Sequence, residues 1–151
     1  MNDLKLYTKF INKMYDVAYA IHLYESIPRN YGTEKKLYMK EVHTLAIISE
    51  NPGITLSEIA EFENKTKSCI SQRINRLEKK GLIRKERNSE EYKKTNLFMT
   101  EEGAIISAYH AKLDARNYGM VLQHLGEWTD QEFNKFIKLL DIVEEAVISD
   151  C

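Results

Sequence analysis

The chain has 151 residues, 43% of them apolar and 30% charged, with six Gly, two Pro, two Cys and a net charge near −1. This is the composition of a soluble globular chain, not of a disordered, fibrous or disulfide-stapled one, and no stretch approaches the roughly 18 to 20 apolar residues of a membrane span. The neutral total is unevenly spread: residues 64–100 carry eleven Lys and Arg against four Glu, a local +7, and the rest carry eleven against nineteen, or −8.

So little Gly and Pro leaves few turns and predicts a mainly α fold. Residues 3–27 contain neither, and Leu6, Phe10, Met14, Val17, Ile21 and Tyr24 recur at helical spacing, which predicts a long amphipathic helix. Its apolar set, widened by Tyr7, Ile11, Ala18 and Leu23, exceeds one core-facing stripe. Residues 28–36 read as a polar loop. Residues 37–50 read as a second helix with Val42, Leu45, Ala46 and Ile48 inward, stopped by Asn51-Pro52-Gly53. Thr55-Leu56-Ser57-Glu58 is a capping box that opens a short helix ending at Phe62. Glu63 and Asn64 interrupt it, Asn being tolerant of a left-handed turn. Thr66 then caps a helix over 67–80, which Gly81 ends. Two short helices joined by such a turn outline a helix-turn-helix.

Residues 82–87 and 95–100 read as the strands of a β-hairpin with a charged tip. Thr100 caps another long helix reaching about residue 123. Thr129-Asp130-Gln131-Glu132 is a second capping box, with Trp128 and Phe133 placed as a hydrophobic staple. The last helix, 130–149, sets Phe133, Phe136, Ile137, Leu140, Val143, Ala146 and Val147 on one face.

The helix over 67–80 carries the chemistry. At about 100° per residue, Ile70, Ile74 and Leu77 form one stripe, and Ser68, Gln72, Asn75 and Lys79 crowd the opposite pole, flanked by Ser71 and Arg76. Amides, hydroxyls and cations are the groups that read base edges in a major groove, Gln or Asn pairing with adenine and Arg with guanine. A merely solvated face would show Glu and Lys in paired spacing, and here no acid precedes Glu78. On the hairpin, Arg84, Lys85 and Arg87, with Lys93 and Lys94 near the tip, are placed to meet phosphates or to enter the adjacent minor groove. A helix-turn-helix followed by a basic hairpin is a winged helix, and double-stranded DNA is the expected partner. The candidate DNA-binding residues are Thr66, Lys67, Ser68, Ser71, Gln72, Asn75, Arg76, Lys79, Arg84, Arg87, Lys93 and Lys94.

The runs Ile54-Thr55-Leu56-Ser57-Glu58-Ile59-Ala60, Thr66-Lys67-Ser68-Cys69-Ile70-Ser71, Arg76-Leu77-Glu78-Lys79-Lys80-Gly81-Leu82-Ile83 and Met99-Thr100-Glu101-Glu102-Gly103 resemble the MarR family of bacterial transcriptional regulators. The resemblance implies a winged helix over 37–100 and a dimerisation region over 1–36 and 101–151, in which first and last helices of two copies interlock. Leu6, Phe10, Met14, Val17, Phe136, Leu140, Val143 and Val147 would form that interface. Their exposure in a monomer would leave large apolar patches. The family further implies a repressor that binds a pseudo-palindromic operator as a homodimer, with recognition helices about one DNA turn, roughly 34 Å, apart, and an effector that releases it.

Three places depart from the family. Glu91-Tyr92-Lys93 stands where the wing usually carries Asp-x-Arg, keeping the charges but not the guanidinium fork. Glu63 and Lys65 occupy usually apolar positions, and Arg73 replaces an apolar residue, set either to pair with Glu63 or to reach a phosphate. Glu41-Val42-His43-Thr44 resembles the second helix of MarR-type repressors of fatty-acid synthesis, which implies an acyl effector. Tyr7, Tyr15, Tyr19, Tyr24, Tyr109 and Tyr118 either line an aromatic ligand cavity or are packing residues. His22, His43, His110 and His124 have no metal-ligand spacing. Cys69, in the first turn of the recognition helix, reads either as a redox-sensitive thiol or as a small half-buried side chain. No catalytic triad or phosphate loop is present, so neither enzyme activity nor a cofactor is expected. The two cysteines, and a segment 1–21 without a basic head and apolar run, place the chain in the cytoplasm. The competing reading is a winged helix used for protein-protein contact with weak or no DNA binding.

Overall fold

A computed structural model of the chain describes residues 4–87 and 94–149. The chain divides into two compact units, residues 1–112 and 113–151. The first begins with α1 (Leu4–Ser26), closed by Arg29, whose Nη1 donates to the Tyr24 carbonyl at 2.6 Å while its guanidinium lies 3.7 Å from the Tyr24 ring centre. Residues expected to form a plain loop hold instead a small antiparallel pair, β1 (Arg29–Asn30) with β2 (Lys36–Leu37). Leu37, expected in the second helix, is in β2 and fully buried, and α2 starts two residues later (Met39–Glu50).

The helix-turn-helix is α3 (Leu56–Phe62) and α4 (Lys67–Lys79). At the start of α3 the Thr55 hydroxyl accepts from the Glu58 amide at 3.3 Å, and the Glu58 carboxylate accepts from the Thr55 amide at 2.8 Å and its hydroxyl at 2.7 Å. The bond from the Thr55 amide, followed by that from its hydroxyl, holds the Glu58 carboxyl below its ordinary pKa. Stability from this cap is therefore present above the ordinary carboxylate pKa and is lost as pH falls through the lowered one. Asn64 takes the left-handed conformation (φ 49°) between the helices, as expected, and Gly81 (φ 71°) ends α4, with Leu82 N–H donating back to the Leu77 carbonyl at 3.0 Å.

The wing pairs β3 (Ile83–Arg87) with β4 (Thr95–Met99), Lys85 opposite Leu97. A third backbone segment joins them: Leu97 accepts from Gly53 N–H at 2.9 Å and donates to the Ile54 carbonyl at 3.0 Å. The wing is thus stitched to the loop before α3. The core between these elements is Val42, Leu45 and Ile48 from α2, Ile59 and Ala60 from α3, Ile70, Ile74 and Leu77 from α4, and Leu82, Ile83 and Leu97 from the wing. Helix α5 (Glu101–Leu125) adds Ile106.

The second unit holds the distal part of α5 and α6 (Asp130–Ser149). Thr129 and Glu132 form the expected capping box, with amide and hydroxyl of Thr129 donating to the carboxylate at 2.8 and 2.9 Å. The Trp128 ring lies 5.3 Å from Phe133 and 5.9 Å from Phe136, so the aromatic staple is formed.

Candidate nucleic-acid interface

Helix α4 presents the expected two faces. Ile70, Ile74 and Leu77 are buried, and Lys67, Ser68, Gln72, Asn75, Arg76 and Lys79 are on the outer side, with Ser71 half-buried. Thr66 is spent on the helix start, its hydroxyl accepting from the Cys69 amide at 3.3 Å. Cys69 is exposed and a free thiol. The burial of Arg73 settles its two alternatives: its Nη1 meets the Glu63 carboxylate oxygens at 2.6 and 2.7 Å and the Thr44 hydroxyl at 2.8 Å. It ties α4 to α2 and to the turn and points away from the exposed face.

A second carboxylate fixes the other end of the helix. Glu41, buried on α2, accepts from the Tyr38 amide at 3.0 Å and from Lys80 Nζ at 2.8 and 3.0 Å, and lies 3.6 Å from Arg76 Nε. Lys80 is thereby drawn inward. Arg76 stays half in water, its Nε facing Glu41 and the rest of its side chain on the outer face. Sequence reading missed Glu41 because an acid in the first turn of a helix is ordinary at the surface.

On the wing, Arg84 Nε pairs with Glu86 at 2.8 Å, its Nη1 donates to the Met99 carbonyl at 3.1 Å, and its guanidinium sits 5.0 Å over the Phe98 ring. This side chain lies along the hairpin. Lys85 turns back to α4, its Nζ donating to Asn75 Oδ1 and Glu78 Oε2, each at 2.7 Å. Alternation along β3 foretells this direction, since Lys85 shares a strand face with buried Ile83. Arg87 and Lys94 are exposed where the strands leave for the tip. Lys93, with Glu91 and Tyr92, lies outside the described residues. Among the described residues Lys67, Lys79 and Arg87 are exposed and make no ion pair with the protein.

Elsewhere, His43 and His110 stack with ring centres 5.2 Å apart although 67 positions separate them, and Tyr31 meets His110 edge-on at 5.8 Å. Among the described residues no group of three or more His, Cys, Asp or Glu is arranged to hold a metal ion. None of the described helices is long and apolar enough to cross a membrane. The six tyrosines expected either to line a ligand cavity or to pack are all exposed in the single chain.

A sequence model of the MarR family matches residues 37–95, the span from β2 to the start of β4. The HTH-type transcriptional regulator YhjH of Bacillus subtilis (strain 168) is 24% identical over 102 residues, 68% of this chain and 58% of the relative. The chain thus spans less than two thirds of that relative. Among solved structures, Streptococcus pneumoniae FabT in complex with DNA superposes with a TM-score of 0.67 at 20% identity, covering 99% of this chain and 100% of that one. Lactococcus lactis ZitR in complex with DNA gives 0.71 at 18%, covering 97% and 99%. These structural likenesses concern the fold, and the matched segment, residues 37–95, coincides with the helix-turn-helix and wing described above and is similar in sequence to the MarR family.

Proposed function

We propose that the protein is a sequence-specific DNA-binding transcriptional repressor that acts as a homodimer on a pseudo-palindromic operator. The carrying observation is the outer face of α4, where Ser68, Gln72, Asn75, Arg76 and Lys79 stand over a fully buried stripe, beside a hairpin that ends in Arg87 and Lys94. Side chains of this kind on a helix anchored from behind suit the major groove, and the hairpin cations suit phosphates. The DNA complexes of FabT and ZitR support the same reading. An effector would act by changing the spacing of the two recognition helices.

Binding of the protein to genomic DNA fragments, titrated against salt, tests this. With six to ten phosphate contacts per dimer the affinity falls by about 10³ to 10⁵ between 50 and 200 mM salt. A flat salt dependence would sink the proposal and favour a protein-binding winged helix. Gln72→Ala is expected to weaken the cognate site by about 1 to 3 kcal/mol and random DNA much less; equal losses would remove its part in base readout.

The terminal helices supply the argument for two copies. Helices α1 and α6 bury no residue in the single chain. Leu6 is 64% exposed, Val17 45%, Phe136 37% and Val147 55%, while Phe10, Met14, Leu140 and Val143 are half-covered. Apolar faces of this extent are stable in water when a partner covers them. Sedimentation at low micromolar concentration is expected to give twice the chain mass of 17.7 kDa, and a stable monomer would overturn the dimer.

A further inference from the structure

Lys85 sits half-buried on β3, and its ammonium reaches across to α4 to lie 2.7 Å from both Asn75 Oδ1 and Glu78 Oε2. An ammonium group has three donors and no acceptor. It must face the oxygen of the Asn75 amide and not the NH₂, so chemistry fixes which way that amide points. Bonds from an ionised donor are about twice as strong as neutral ones, and Glu78 holds the same ammonium in place from one turn further along α4.

Asn75 is exposed on the side of α4 that carries Gln72 and Lys79. An unconstrained Asn pairs with adenine by accepting from N6 and donating to N7. At Asn75 the amide oxygen is turned toward the wing by the cation that donates to it, so the NH₂ group, with two N–H donors, is the end turned away from the wing. The guanine edge in the major groove offers two acceptors, O6 and N7. We propose that Lys85 is a positioning residue for base selection: it locks Asn75 as a hydrogen-bond donor, so that Asn75 selects guanine over adenine at the base pair beneath it. The inference rests on the DNA-binding reading above and deepens it. It also gives the wing a part in sequence choice apart from phosphate contact, because the lysine that sets the amide belongs to β3.

Selection from random duplex DNA, followed by sequencing, tests this on the full-length protein. The wild type is expected to enrich sites in which one base pair per half-site is sensitive to Asn75→Ala and prefers guanine over adenine by roughly tenfold. Lys85→Met keeps the aliphatic stem and removes the ammonium; it is expected to abolish that preference or turn it toward adenine. Lys85→Arg still donates and cannot accept, and is expected to retain guanine. If Lys85→Met weakens all sequences equally and leaves the preferred base unchanged, Lys85 is a phosphate contact and the inference falls while the repressor reading stands. Adenine at the Asn75-sensitive position of the wild type also overturns it. If the wild type enriches no sequence at all, the DNA-binding reading fails and takes this inference with it.

Discussion

Glu63→Ala is expected to lower the free energy of unfolding by about 3 to 5 kcal/mol, as measured by urea denaturation. The residue lies in the turn between α3 and α4, and its carboxylate holds Arg73 at 2.6 and 2.7 Å. The side chains are 17% and 6% exposed, so this is a desolvated pair and not a surface one, for which about 0 to 1 kcal/mol would be the measure. Removal of Glu63 leaves a guanidinium with no counter-ion and only the Thr44 hydroxyl, at 2.8 Å, for company. Against a whole-domain stability of about 5 to 15 kcal/mol, that loss is large. The pair itself is another matter, because the attraction between its members largely offsets the cost of drying them. Replacement of both, as Glu63→Leu with Arg73→Met, is therefore expected to land within about 1 kcal/mol of the wild type. A single substitution costing under about 1 kcal/mol would show that water still reaches the pair.

The same two residues mark where the sequence was legible and where it was not. Helix stripes, caps and the Asn64 and Gly81 turns follow from local chemistry, and α4 and α6 begin where Thr66 and Thr129 place them. Glu63 and Arg73 could be seen as departures from an apolar pattern, and their pairing was one of two readings; only the packing of α2 behind both excludes the phosphate. Glu41 and Lys80 are 39 positions apart, and nothing local says that the acid is dry. The β1 and β2 pair was invisible because two residues per strand are too few to show alternation. On α4, Lys67, Ser68, Gln72, Asn75, Arg76 and Lys79 lie on the outer face while Ser71 is half-buried and Thr66 caps the helix, and counting cations overstated the wing. Arg84 and Lys85 are committed to Glu86, Met99, Asn75 and Glu78, which leaves Lys67, Lys79 and Arg87 as exposed cations without an ion pair among the described residues.

Gly103→Ala is expected to destabilise the protein by about 2 kcal/mol, against the ordinary direction of such a change. Within an exposed helix, Ala is better than Gly by about 1 kcal/mol, so intrinsic propensity alone predicts a gain. The first turn of α5, however, crosses the start of the wing so closely that a Cβ on residue 103 would stand 2.2 Å from the Leu82 carbonyl oxygen. Leu82 is fully buried, and its carbonyl accepts from the Thr100 amide at 3.0 Å. The Thr100 hydroxyl in turn accepts from the Gly103 amide at 3.2 Å and donates to the Gly81 carbonyl at 2.8 Å. The obstacle is backbone held on both sides, and it has no rotamer by which to retreat. Overpacking of this kind costs about 1 to 3 kcal/mol or more, and the displaced Thr100 bond about 1 kcal/mol besides, which together outweigh the propensity gain. Gly119 supplies the control: it lies on the same helix, and a Cβ there would meet nothing within 4 Å. Gly119→Ala is expected to raise stability by about 0.5 to 1 kcal/mol. Thermal unfolding of the two variants should therefore move Tm in opposite directions. A Gly103→Ala protein as stable as the wild type would mean that α5 can lift from Leu82 at no cost, and the glycine that closes the Thr-Glu-Glu-Gly run would then need another reason.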